Sequence, residues 1–133
     1  MNIIVCLDDN QGMLFNKRRQ SRDIKVLEDI ENMKENIWTN QYSETLFDKT
    51  KIQYKVDEEF LVNAPAEAFC FVENEHLLPH QDKIKTIVVY KWNRKYPSDF
   101  KLDIDLANWK LTETKEFVGN SHEKITREFY EKG

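Results

Sequence analysis

With 133 residues and a formal charge of −4, the chain is sized for one domain and lacks the global basic field that grips a phosphate backbone. A composition that is 40% hydrophobic and 33% charged, with only 3 Gly and 3 Pro, excludes a disordered or low-complexity chain. No run reaches the roughly 20 apolar residues that span a bilayer, and residues 1–8 carry no basic leader, so a soluble cytoplasmic protein without a membrane partner is expected.

Asn2–Leu7 (NIIVCL) is a continuous β-branched run ended by Asp8-Asp9-Asn10, the pattern of a central strand buried on both faces. A loop follows, holding Gly12 and the basic stretch Lys17-Arg18-Arg19-Gln20-Ser21-Arg22. Ser21 is placed to cap a helix whose apolar positions are Ile24, Leu27, Ile30 and Met33. Ile37–Thr39 reads as a short strand, Ser43–Phe47 as a helical turn, Lys51–Val56 as a third strand and Asp57–Asn63 as a short helix.

Ala68–Val72 is another buried strand, followed by a helical or irregular stretch over 75–81. Lys85–Trp92 (KTIVVYKW) is the strongest strand in the chain. A polar connection over 93–107 leads to Trp109–Val118, which alternates as an antiparallel strand does. Residues 121–132 fit either a helix or a strand. Strands alternating with helices and ending in a meander imply a largely parallel sheet with antiparallel strands at one edge.

Ile4–Asn10, Gly12-Met13, Asn16-Lys17, Phe69–Val72, His76–Pro79, Ile84–Tyr90, Asp99-Phe100, Asp103 and Trp109-Lys110-Leu111 together resemble the dihydrofolate reductase family. The resemblance implies one domain over 1–133, a three-layer α/β sandwich with a mixed, mostly parallel sheet, and a final strand over 121–132. It places Asp23 where that family holds a pterin ring with a carboxylate. It also places Glu73-Asn74 where the family has a Gly-Gly turn against its nicotinamide cofactor, and Asn40-Gln41 where it has a Gly-Arg pair. A carboxylate where backbone must approach a pyrophosphate opposes that cofactor, so no cofactor is expected. A second stretch, Met13–Asp23 with Gly119–Thr126, is similar to small clostridial-type proteins often named ribonuclease Z. That hydrolase class needs a His-x-His-x-Asp-His cluster, and the three histidines here (His76, His80, His122) are not spaced that way.

The candidate residues fall into two groups. Arg18, Arg19 and Arg22 form one basic cluster whose guanidinium forks suit a phosphate or carboxylate; with Asp8, Asp9, Asp23, Glu73 and Asn74 they make the expected ligand site. A solvated loop, or arginines paired with Asp8, Asp9 and Asp23, explains the same residues without a ligand. Asp23 is the first candidate for catalysis, followed by His122 and Glu123 in a Gly-Asn-Ser-His-Glu turn. Trp92, Arg94 and Tyr96 are a candidate ledge for stacking a base. Cys6 and Cys70 sit in apolar runs without basic neighbours and read as buried thiols. His76 and His80 are four apart, with Pro79 between them and no third ligand, so no metal site is expected.

The expected partner is therefore a small anionic or heteroaromatic ligand, such as a nucleotide, bound without hydride transfer. The rival readings are a divergent NADPH-dependent reductase, an RNA-binding or RNA-processing protein, and a protein-interaction module.

Overall fold

The structure, a computed structural model, describes residues 1–132. Ten strands and three short α-helices follow one another as β1 (Asn2–Leu7), β2 (Gly12–Phe15), β3 (Arg18–Arg19), α1 (Ile24–Met33), β4 (Ile37–Thr39), α2 (Gln41–Phe47), β5 (Tyr54–Val56), α3 (Phe60–Asn63), β6 (Phe69–Phe71), β7 (Thr86–Lys91), β8 (Phe100–Lys101), β9 (Trp109–Phe117) and β10 (Ile125–Lys132). Seven of the strands form one sheet in the order β5-β4-β6-β1-β7-β10-β9. The first five run parallel, and β10 and β9 close the edge antiparallel. The mixed sheet expected from the sequence is present, and residues 125–132 are its strand β10.

β1 sits in the middle because both of its faces are apolar. Ile3, Val5 and Leu7 enter one core with Phe60, Leu77, Ile87 and Val89. Ile4 enters the other with Leu27, Ile30, Phe47, Phe71, Val88 and Tyr90. Two cores on opposite faces of one sheet make the three layers. No helix is long and apolar enough to cross a membrane among the described residues.

Three local expectations are corrected. Asp23, not Ser21, caps α1: its backbone is extended (φ −151°) and its side chain accepts from the Lys25 N–H. The apolar stripe of α1 then runs through Val26, Leu27 and Ile30, leaving Ile24 exposed in the first turn. The segment around Lys17 is a hairpin instead of a loop, with Phe15 paired to Arg18 and Leu14 to Arg19. Its two-residue turn, Asn16-Lys17, has φ of 53° and 63° and lacks the glycine that normally announces such a turn. The connection over 93–107 also contains a strand, β8, which pairs with β2 to complete a small second sheet.

Candidate functional site

Some of the candidate residues meet near the C-terminal ends of β1 and β6, where open α/β sheets place their ligands. β1 delivers Asp8, the β2–β3 hairpin delivers Arg19 and Gln20, and α1 begins with Asp23. The turn between β9 and β10 brings His122 across. The cleft between them is lined by Arg19, Ser21, Arg22, Asp23, Glu73 and Trp92 among others, and its cavity is about 20 Å³, room for a single water.

Asp23 is fully enclosed. Its Oδ1 accepts from the N–H groups of Lys25 and Asn120 at 2.9 Å each, and its Oδ2 from the Ser121 N–H and from His122 Nδ1, also at 2.9 Å each. The side chains of Asp23 and His122 are 0% and 1% exposed, so no ligand reaches the carboxylate directly. Burial works against its charge, but the Asn120, His122, Ser121 and Lys25 donors outweigh burial and hold the carboxyl well below the usual range. Gly119 permits this approach: a Cβ there would lie 2.7 Å from Asp23 Oδ2 and 2.8 Å from the His122 carbonyl.

Because the carboxylate is acceptor-only, His122 Nδ1 carries a proton toward it, and in the neutral imidazole Nε2 is left as an acceptor. Two hydroxyls meet Nε2, Ser21 Oγ and Tyr96 Oη, each at 3.0 Å. Tyr96 also donates to Ser21 Oγ at 3.4 Å. The imidazole lies against the buried Trp92 indole, ring centres 4.7 Å apart and planes inclined by 21°. Trp92 and Tyr96 therefore wall in His122 and do not form a ledge for a base; Arg94 is exposed.

Asp8 is buried and occupied: it accepts from the N–H groups of Asn10, Gly12 and Tyr96 and from Gln20 Nε2. That bond to the Tyr96 N–H sets the tyrosine beside His122. Asp9, by contrast, is exposed at the strand end.

Arg19 makes a two-pronged pair with Glu73, Nε to Oε2 and Nη2 to Oε1, both at 2.9 Å. Ser43 Oγ adds a 2.7 Å bond to the same carboxylate. Asn74 accepts from the Asn40 side chain at 2.8 Å. Neither Glu73 nor Asn74 has positive φ. Arg18 and Arg22 are exposed and have no carboxylate partner among the described residues. The three arginines thus do not converge: Arg19 is clamped across the cleft, Arg22 lies on its lining, and Arg18 is exposed on the hairpin outside it.

Glu123, next to His122, points away into solvent and takes no part in this cluster. His76 lies before the 3-10 turn over Leu78–Lys83, so it shares no helical face with His80; its ring sits 3.5 Å from Asp103. Among the described residues no three His, Cys, Asp or Glu side chains gather as metal ligands do. Both cysteines are free, and burial pushes the Cys70 thiol up to about 11. Sequence reasoning missed Ser21, Gln20 and Ser43 as parts of the site, and gave Tyr96 a stacking role in place of its bond to His122. No local pattern marks them, because their partners lie far away along the chain.

No protein-family model matches the chain, and no curated protein matches it in sequence. Among solved structures it is similar to dihydrofolate reductase from Enterococcus faecalis, a structure complexed with NADP(H) and RAB-propyl. The similarity has a TM-score of 0.68 at 10% identity and covers 98% of this chain and 94% of that one. The fold is therefore of dihydrofolate-reductase type, a three-layer α/β sandwich whose sheet ends in two antiparallel strands.

Proposed function

We propose that the protein uses a dihydrofolate-reductase-type scaffold to bind a small anionic ligand, such as a nucleotide, and transfers no hydride. One observation supports the reading: both carboxylates of the cleft are occupied internally, Glu73 by Arg19 and Ser43 and Asp23 by His122 and backbone N–H groups, while the Arg22 guanidinium on the cleft lining has no carboxylate partner among the described residues. An Asp23 that accepts five hydrogen bonds from its own chain, four of them at 2.9 Å, and is shut off from solvent has no lone pair to offer a pterin. The residues also do not fit a dinucleotide. At the position of the glycine turn stands the Glu73 carboxylate, clamped by Arg19 and Ser43, and a side chain there fills the space that pyrophosphate needs. With room for only one water inside, the ligand sits at the cleft mouth against Arg22.

The test is the thermal stability of the purified protein with AMP, with NADPH and with dihydrofolate, each in excess. A ligand at 100 times its Kd stabilises by about 2.7 kcal/mol, a shift of several degrees in a domain of this size. AMP should raise Tm, and the shift should vanish in the Arg18→Gln/Arg22→Gln double variant. A shift with NADPH, or an AMP shift that survives both substitutions, overturns the reading.

A further inference from the structure

Ser21, His122 and Asp23 form a line of hydrogen bonds. Ser21 Oγ meets His122 Nε2 at 3.0 Å, and His122 Nδ1 meets Asp23 Oδ2 at 2.9 Å. A hydroxyl, an imidazole acceptor and a buried carboxylate that fixes the imidazole are the parts of an activated serine, recognised by geometry and not by order along the chain. The distances fall within the 2.6–3.2 Å reach that proton transfer requires. Of the three, only Ser21 is partly exposed, and it lines the cleft; Asp23 and His122 are sealed behind it.

We infer that Ser21 is a nucleophile, activated by His122 and Asp23, that takes the acyl group of a small ester whose acyl part carries an anionic group held by Arg22. The choice of an anionic substrate rests on the binding reading given above; the activation of Ser21 does not.

In the first step the Ser21 Oγ–carbon bond forms while the proton passes from Oγ to His122 Nε2. The carbonyl carbon becomes tetrahedral and its oxygen takes the negative charge. When the carbonyl re-forms, the bond to the leaving oxygen breaks and His122 returns the proton to that oxygen, releasing an alcohol. Water repeats the sequence on the acyl-serine, giving its proton to His122 and freeing the carboxylic acid and Ser21.

Neighbouring groups favour these charges. Asp23 and the face of the Trp92 indole stabilise the imidazolium. The Tyr96 hydroxyl, 3.4 Å from Ser21 Oγ, donates to that oxygen when the serine proton is on the histidine.

Two experiments test the assignment on the purified full chain. Treatment with a neutral fluorophosphonate, which forms an Oγ–phosphorus bond and expels fluoride, should add one label per chain, mapped to Ser21 by peptide mass. Ser21→Ala should abolish the label while keeping Tm close to that of the parent, because it leaves the Asp23–His122 pair intact. No label on folded protein, or a label on another residue, overturns the nucleophile.

The second experiment compares p-nitrophenyl acetate with p-nitrophenyl hemisuccinate. The hemisuccinate should react at least tenfold faster in kcat/KM, and Arg22→Gln should erase that preference. Equal rates for the two esters overturn the anionic substrate class. The fluorophosphonate carries no anionic acyl group, so its labelling stands or falls independently of the AMP shift.

Discussion

Replacing Asp23 by Asn changes one oxygen into an NH₂ group and almost nothing in shape. The remaining oxygen can keep two of the four short bonds, those from Lys25 and Asn120. The new NH₂ then faces the Ser121 N–H and His122 Nδ1, both donors to the original carboxylate at 2.9 Å. The imidazole can answer by shifting its proton to Nε2, but the Ser121 amide has no second tautomer and is orphaned. A buried donor without a partner costs about 1–3 kcal/mol, and losing the charge from the surviving bonds adds to it, so a loss near 3 kcal/mol is expected. In a domain of this size that lowers Tm by roughly 10 °C.

The pH dependence gives a second handle. The folded-state pKa of Asp23 is depressed below its ordinary value of 3.8. Its contribution is therefore complete above that value and is lost as pH falls below it. The gap in stability between parent and Asp23→Asn should be full at pH 7 and narrow steadily below about pH 4. Denaturant unfolding of both proteins from pH 7 to pH 2.5 measures it, and taking the difference cancels the other carboxylates. A gap under about 1 kcal/mol at pH 7, or one that does not narrow in acid, refutes the account of Asp23 as the bolt between α1 and the β9–β10 turn.

Lys17 holds φ at 63° in a turn that favours glycine, so Lys17→Gly should stabilise the protein by about 0.5–1 kcal/mol, read as a rise in Tm of a few degrees. The Tyr42 hydroxyl donates to the Lys17 backbone carbonyl, a bond that the substitution leaves in place, so a loss of stability would refute the left-handed turn as the source of strain. Cys70 is buried with its thiol raised to about 11, and burial together with the Glu73 charge also raises that of Cys6. Both should react with Ellman's reagent at pH 8 far more slowly in native protein than in 6 M guanidinium; rapid native release of even one equivalent would contradict that burial.

The sequence by itself determined the architecture. Continuous β-branched runs such as Asn2–Leu7 and Thr86–Lys91 can be stable only with both faces covered, which demands a parallel core strand flanked by two layers. It also framed an expectation about chemistry, since three scattered histidines, and a Glu73 that the resemblance puts at a cofactor turn, argue against two metals and a pyrophosphate. The hairpin of β2 and β3 escaped because the left-handed backbone of Asn16-Lys17 is held by the strands it joins, without glycine to signal it.

Tertiary structure alone decided what each charged residue does. Arg18, Arg19 and Arg22 look alike in sequence, yet only Arg19 emerges on the side of the hairpin that faces Glu73, 54 residues away. Ser21 resembled a helix cap until Asp23, two residues on, proved the better acceptor for the Lys25 N–H. The serine was then free to meet a histidine 101 residues distant. Strand and helix patterns are local because backbone hydrogen bonding and side-chain periodicity repeat every two or 3.6 residues. A hydrogen-bonded site has no such period: it depends on which loops the packed sheet brings together, and that is settled only when the whole chain has folded.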